Sequence, residues 1–381
     1  MFRRAWLAGL AVTMATAVTA QETANQALTF SGYYKNLLQT SKTVVPDGQH
    51  YVLDTNRLRL ELKGNLSPHV ALDLEYDNEM LLGNYLRTTQ FTLQNNLKPD
   101  QYLDLDGRYL KGAGYQGQHR LYRGNMTFSF GDTDVRVGRQ RIAWGTGRFW
   151  SPLDLLNPLN PIAIEREERL GVDAVLAEQK LGPLSRVSAV YAPAHGGAAS
   201  SVALNFHSNA RGVDYSIIAG RFGNEEVAGV DIAGQIGGAG VRGELTINRA
   251  TSGARYQRAL VALDYAFSNT LTLSGELYFN GAGTTNPTGY DFESLFAGRI
   301  QNVAKHYLGG YASYEITPLL KSEGYVVVNL DDGSRFLSPV LSYSIRTNLD
   351  WKIGAQFFSG RASSEYGRLH NVYYTQLQWF F

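Results

Sequence analysis

The sequence predicts an all-β chain: a transmembrane, antiparallel, up-and-down β-barrel of 18 strands, with 16 or 20 as the neighbouring counts. Three observations carry this. Apolar residues recur at every second position in segment after segment, the period of a strand with one oily and one wet face. The links between these segments alternate between short and long, as in barrels with tight turns at one rim and loops at the other. Beyond residue 20, no stretch reaches the roughly 18 uninterrupted apolar residues of a spanning helix.

The two ends of the chain agree with that class. Residues 1–20 have the form of a signal peptide: Arg3 and Arg4, an apolar run too short to span, and the small-residue site Val18-Thr19-Ala20. Cleavage near Ala20 leaves one domain, residues 21–381. At the other end Tyr373, Leu377, Trp379 and Phe381 share one parity and Tyr374, Gln376 and Gln378 the other, with Thr375 a polar intruder on the apolar face. A strand ending at an aromatic carboxy-terminus resembles the last strand of a Gram-negative outer-membrane barrel. That resemblance implies outer-membrane lipid and lipopolysaccharide as surroundings, and the barrel-assembly machinery as a partner of the strand ending at Phe381.

The interior strands alternate in the same way. Leu58, Leu60 and Leu62 oppose Arg57, Arg59, Glu61 and Lys63; Val70, Leu72, Leu74 and Tyr76 oppose Asp73, Glu75 and Asp77. Met126, Phe128 and Phe130 oppose Arg123, Asn125 and Thr127, and Leu245 and Ile247 oppose Glu244 and Asn248. In a membrane the apolar set faces lipid, so Arg57, Arg59, Glu61, Asp73, Glu75 and Arg123 are expected to face the lumen.

Short links are expected near 67–68, 131–134, 182–183, 208–211, 237–238, 268–270, 317–318 and 348, where Gly, Pro, Asn and Ser concentrate. The expected long links are 40–54, 80–118, 145–167, 192–200, 221–226, 249–257, 281–304, 331–335 and 359–368. Residues 101–109 alternate weakly and offer an extra hairpin; merging the strands around 331–335 removes one.

The third long link is the most informative. Val135 and Val137 point to lipid, so strict alternation would push Arg139 and Arg141 there too, at about 2–4 kcal/mol each near the midplane. A bulge at Gly138 would turn both inward and send Trp144 to the aromatic girdle. The following Phe149, Trp150, Leu153, Leu155 and Leu156 call for burial, and prolines 152, 158 and 161 resist strand pairing. The expectation is that 145–167 folds into the barrel as a constriction or caps its mouth. Ser151 would start a turn, and Asn157-Pro158 and Asn160-Pro161 two more. Arg136, Arg139, Arg141, Arg148, Asp154, Asn157, Glu165, Glu167 and Arg169 are the candidate pore-lining and constriction residues. Charges of opposite sign there create a transverse field that orients polar solutes.

The run GRQRIAWGTGRFWSPLDLLNPLNP (138–161) resembles the GRQ…WG…P-x-D…NP signature of porin-like outer-membrane barrels, and a shorter GRQ signature is similar to that of alginate-export barrels. The first resemblance implies a channel. The second would make Arg136, Arg139, Arg141 and Arg148 a basic path for polyuronate.

Composition excludes other classes. Lys and Arg total 35 and Asp and Glu 34, so loss of Arg3 and Arg4 takes the formal net charge from +1 to −1; no nucleic-acid partner is expected. There is no cysteine, hence no disulfide or thiolate site, and the seven histidines lack metal-ligand spacing. No cofactor and no metal is expected. His207-Ser208 faintly resembles an outer-membrane phospholipase motif, but neighbours on a strand face opposite ways, so no catalytic residue is assigned. The expected function is passive diffusion of small polar solutes. The alternatives are a polymer-export conduit and a non-conducting barrel that holds a partner.

Overall fold

The computed structural model describes residues 28–96, 101–166, 168–195, 199–296 and 300–381. The signal-peptide reading and Glu167 lie outside these residues. One antiparallel sheet contains β1 (Thr29–Val44), β2 (Asp47–Ser67), β3 (Val70–Leu82), β4 (Asp106–Gly112), β5 (Tyr115–Phe130), β6 (Thr133–Gln140), β7 (Val172–Lys180), β8 (Arg186–Ala192), β9 (Ser201–Ala210) and β10 (Val213–Phe222). It continues through β11 (Glu225–Ile236), β12 (Ala239–Ala250), β13 (Arg255–Ala266), β14 (Thr272–Asn280), β15 (His306–Thr317), β16 (Leu320–Asn329), β17 (Arg335–Arg346), β18 (Leu349–Ser359) and β19 (Val372–Phe380). Apart from β4, each strand pairs with its neighbours around the ring, and β1 closes on β19 from Tyr33↔Phe380 to Thr40↔Tyr373.

The wall has 18 strands, because β3 pairs directly with β5 and β4 is a short accessory strand. β4 pairs with the outer part of β5, beyond the point where β6 stops. It answers the weak alternation of 101–109: a strand forms there but adds nothing to the ring.

The eight short turns fall where Gly, Pro, Asn and Ser placed them. The links at the other rim divide. Those after β3, β6, β8, β14 and β18 are long. Those at 45–46, 223–224 and 251–254 are tight turns, shorter than expected at 40–54, 221–226 and 249–257, while the link 330–334 is as long as the expected 331–335. Around this last link period two fades because both faces are apolar: Val326 and Leu337 are exposed outside, while Val327 and Phe336 are buried toward the interior.

The wall is inverted relative to a soluble sandwich. Leu245, Ile247, Val261, Leu263 and Leu277 are exposed on the outer face, while Glu244, Thr246, Asn248, Ser274 and Glu276 are buried toward the lumen. Thr375, the polar intruder, accepts the Trp351 indole N–H at 2.8 Å and donates to the Lys352 carbonyl at 3.1 Å. Its hydroxyl is thereby satisfied on a lipid-facing surface. The outer-face assignment predicts that Val261→Arg, in the middle of β13, destabilises the folded barrel by about 2–4 kcal/mol. Urea titration in liposomes, read by the gel-mobility difference between folded and heated barrel, measures this.

Candidate functional site: a segment inserted across the lumen

Residues 141–171 leave the wall after β6 and return as β7. In between they cross the interior as two lobes. The first lobe, 141–157, lies against the arc from β7 to β16. The second, 158–170, reaches the arc from β16 round to β2, and its end meets Arg123 on β5.

The first lobe is seated by apolar packing and by two buried carboxylates. Ile142, Leu153, Leu155 and Leu156 pack on Leu176, Val190, Ile218 and Phe222, an apolar patch on the inner wall. Trp144 meets Phe222 edge-on at 6.4 Å, so it sits inside and not in the outer girdle. Glu244 on β12 is the first socket. Its Oε1 accepts from Thr146 N (2.6 Å), Thr146 Oγ1 (3.0 Å) and Gly147 N (2.8 Å). Its Oε2 accepts from Ser151 Oγ (2.8 Å) and Leu153 N (3.1 Å). Glu276 on β14 is the second, accepting from the backbone N–H groups of Arg148 (2.6 Å), Phe149 (2.9 Å) and Trp150 (3.5 Å).

This geometry explains the glycines of Trp144-Gly145-Thr146-Gly147. A Cβ on Gly145 would overlap the Ser151 hydroxyl, and one on Gly147 the Trp150 carbonyl oxygen. The backbone can wrap a carboxylate this closely only without those side chains. Beyond the sockets Trp150 stacks on Tyr278 (5.3 Å, 11°) and lies 5.5 Å from Tyr307. Gly309 leaves the room that Phe149 and Trp150 occupy.

Turns form at Ser151 and Asn160, without a helix, but not at Asn157-Pro158. Ser151 Oγ accepts from Asp154 N at 3.1 Å, and Asn160 Oδ1 from Ile162 N at 3.1 Å. Asn157 is buried and bridges the lobe's base, accepting from Ile142 N (2.7 Å) and donating to the Leu170 carbonyl (2.5 Å). Asp154 pairs with Arg169. Burial raises the Asp154 carboxyl to about 7, while the charges of Arg169 and Arg141 pull it down.

The second lobe is held mainly by charge. Glu165 meets Lys35 Nζ at 2.7 Å and the Arg57 guanidinium at 2.9 and 3.1 Å. Glu168 accepts from Tyr33 Oη (2.8 Å) and Arg59 Nη1 (2.9 Å), with Lys35 at 3.4 Å. Burial opposes ionisation of both carboxyls, yet the surrounding cations hold Glu165 below the usual range and Glu168 at about 2. Arg166 lies over the Tyr325 ring at 3.8 Å. Gln356 Nε2 donates to the Ile162 carbonyl at 2.8 Å.

The wall cations are themselves paired on β2 and β3. Arg59 makes a bidentate contact with Asp77 (2.6 and 2.7 Å), and Arg57 binds Glu79 at 2.7 Å. Nearer the short-turn rim Lys63 joins Glu61 (3.1 Å), Asp73 (3.8 Å) and Glu75 (2.5 Å). Arg123 on β5 donates to the Arg169 carbonyl at 2.6 Å. Tyr122 is sandwiched between Arg59 at 3.8 Å and Arg123 at 4.2 Å.

The remaining arginines do not form one row. Arg136 reaches the Thr127 hydroxyl at 3.2 Å. Arg141 and Arg148 are exposed, and Arg148 lies 4.4 Å over the Tyr311 ring. Arg139 is fully buried, bound to Asp173 at 3.0 Å through both Nε and Nη2 and to the carbonyls of Leu121 (3.1 Å) and Leu103 (2.6 Å). The register of β6 with β5 and β7 runs through Gly138 without a shift, so the expected bulge there is absent. The extra residue is Tyr122 on β5, between the pairs Glu75↔Arg123 and Tyr76↔Leu121. Asp173 neutralises Arg139, and the Leu103 and Leu121 carbonyls accept from its other N–H groups.

Glu244, Glu276, Lys35 and Glu168 escaped sequence reasoning as anchors. The available signal was a mid-wall carboxylate without a cation directly across the ladder: Glu244 faces Asp231 and Leu260, and Glu276 faces Ala262 and Gly309. His207 contacts Ser216 at 3.2 Å, whereas Ser208 meets Ser185 at 2.8 Å; the His-Ser dipeptide is divided between two faces.

Beyond the inserted segment a cavity of about 1750 Å³ opens. Asp106, Arg108 and Arg120 line one side, and Glu225 and Arg258 lie nearly opposite, with Pro152, Asp154 and Leu155 among the lining residues of the inserted segment.

No protein-family model and no curated protein matches the chain. Solved structures do. The outer membrane protein OpdK of Pseudomonas aeruginosa superposes with a TM-score of 0.58 at 8% identity, covering 92% of this chain and 98% of that one. OccAB1 of Acinetobacter baumannii gives 0.57 at 11% identity, covering 92% and 96%. OprD of Pseudomonas aeruginosa, another outer membrane protein, gives 0.56 at 9% identity, covering 94% of each chain. The chain shares the barrel fold of these outer membrane proteins.

Proposed function

We propose that this chain is an outer-membrane, porin-like channel through which small polar solutes diffuse passively, and that 141–171 is its constriction. The observation that carries the reading is how the inserted segment is held. Its bulky residues pack onto the wall, and a wide charged vestibule lies beyond it. That vestibule, about 1750 Å³, exceeds the roughly 300–1,000 Å³ of a pocket built to retain one small ligand, as suits transit. Charges of both signs, Asp106 with Arg120 and Glu225 with Arg258, favour solutes carrying dipoles or charges over apolar ones. OpdK has been solved with vanillate, a solute of the size and polarity envisaged here.

The assignment of Arg136, Arg141, Arg148, Asp154, Asn157, Glu165 and Arg169 to the constriction, and of Arg57, Arg59, Glu61, Asp73, Glu75 and Arg123 to the lumen, belongs to this reading, as do signal-peptide removal near Ala20 and insertion through Phe381. The polyuronate path finds no support in the separate placements of Arg136, Arg139, Arg141 and Arg148.

Planar-bilayer recording of the refolded chain tests the proposal, alongside a variant lacking residues 147–161. Steady ohmic steps that enlarge on deletion are the expected result. Silence from both proteins, with folding verified by gel mobility, would overturn the channel reading.

A further inference from the structure

We propose that the second lobe, 158–170, is an acid-released strap: lowering the pH detaches it from β1 and β2 while the first lobe stays docked. The inference starts from the different attachments of the two lobes. Backbone N–H groups on Glu244 and Glu276, with Phe149 and Trp150 buried beside them, hold the first. Glu165 and Glu168 connect the second to the cations of β1 and β2.

The groups facing these two carboxyls set the sign. Lys35 and Tyr33 project from β1, Arg57 and Arg59 from β2, and Tyr122 from β5. Asp77 and Glu79 of β3 hold the far sides of the two arginines, with Glu75 at 3.8 Å from Arg59. Within the lobe, Arg169 reaches back to Asp154. Both carboxyls titrate below their ordinary value. Their contribution is therefore complete above the ordinary value of 4.5 and is lost as pH falls from there toward about 2. Asp154, raised to about 7, loses its charge first and weakens the tie to Arg169 before the strap itself lets go. Once Glu165 and Glu168 are neutral, Arg57 and Arg59 keep hydrogen-bond acceptors on β3, Glu79 and Asp77. Lys35, only 8% exposed, keeps neither of its two ion-pair partners and favours a hydrated, strap-free state.

The consequence for conduction rests on the channel reading: release uncovers cationic wall and shifts selectivity toward anions. Release itself can be measured without conduction. The chain has no cysteine, so single spin labels can be placed at Ala163→Cys in the strap and at Ala143→Cys in the first lobe of the full refolded barrel. From about pH 7 to about pH 2 the label at 163 is expected to gain mobility while that at 143 does not. In the Glu165→Gln/Glu168→Gln background the label at 163 should already be mobile at neutral pH and indifferent to acid. Asp154→Asn should leave the acid response in place. Should the double variant not fold, Glu168→Gln is read in the same way. An unchanged label at 163, or equal loosening at both sites, overturns the strap. Acid mobility at 163 in a barrel that carries no current would keep the strap and overturn the channel. Where current flows, the reversal potential in a KCl gradient should move toward the anion value together with the label.

Discussion

Glu244→Ala/Glu276→Ala is expected to release the first lobe and bring single-channel conductance close to that of the barrel lacking 147–161. Eight hydrogen bonds end on these two carboxylates. A buried donor deprived of its acceptor costs about 1–3 kcal/mol. Burial of Phe149, Trp150 and Leu153, the apolar side chains of the stretch that wraps the carboxylates, returns about 1.5–3 kcal/mol each, so that stretch does better by leaving the wall and hydrating its N–H groups. Glutamine is not a mild replacement. Both oxygens of each carboxylate accept, so the amide NH2 would point at N–H donors. Glu244→Gln alone should therefore raise open-channel noise, whereas Glu226→Gln, on the exposed outer end of β11, should not. Noise and conductance equal to the parent in the double alanine variant would show that packing alone seats the lobe.

Asp173→Ala is expected to be the most destabilising single change in the wall. It leaves the Arg139 guanidinium, with a side-chain exposure of 0%, without the carboxylate that neutralises it. Removing one partner of a buried pair typically costs about 3–5 kcal/mol, and Asp106 at 3.8 Å is too distant to replace it. The two carbonyl acceptors remain, but they carry no full charge. The loss should appear as a lower midpoint in urea for the folded, fast-migrating band. Replacing both residues, as Arg139→Met/Asp173→Leu, should recover much of it, because the desolvation cost disappears with the charges. A double variant as unstable as Asp173→Ala would place the role of Arg139 in its bonds to Leu103 and Leu121.

The barrel was legible because lipid and water impose opposite demands on alternate residues, a signal that each strand carries alone. The eight tight turns were legible through Gly, Pro, Asn and Ser. Several strand ends at the other rim were not, since a strand with apolar residues on both faces, as at Val326, Val327, Phe336 and Leu337, shows no alternation. The inward course of 141–171 was legible from its leucines and aromatics, but its attachment was not. Glu165 and Lys35 lie 130 residues apart, and Glu244 and Thr146 lie 98 apart; local spacing carries no trace of either pair. The Gly138 bulge shows the same limit. Parity along β6 raised the question of how Arg139 is accommodated, but the answer, Asp173 and the Leu103 carbonyl, is one that a reading of one strand cannot see.

A tube of neighbour-paired strands resists stretching along each ladder but yields easily when squeezed across its diameter, because every hinge between strands can flex a little. The inserted segment changes that mechanics. Its ties to β12 and β14 and its ties to β1 and β2 reach arcs on opposite sides of an 18-strand ring. On the proposed channel reading it is thus a spoke as well as a narrowing, so the roundness of the barrel and the width of its passage would be governed by the same 31 residues, 141–171.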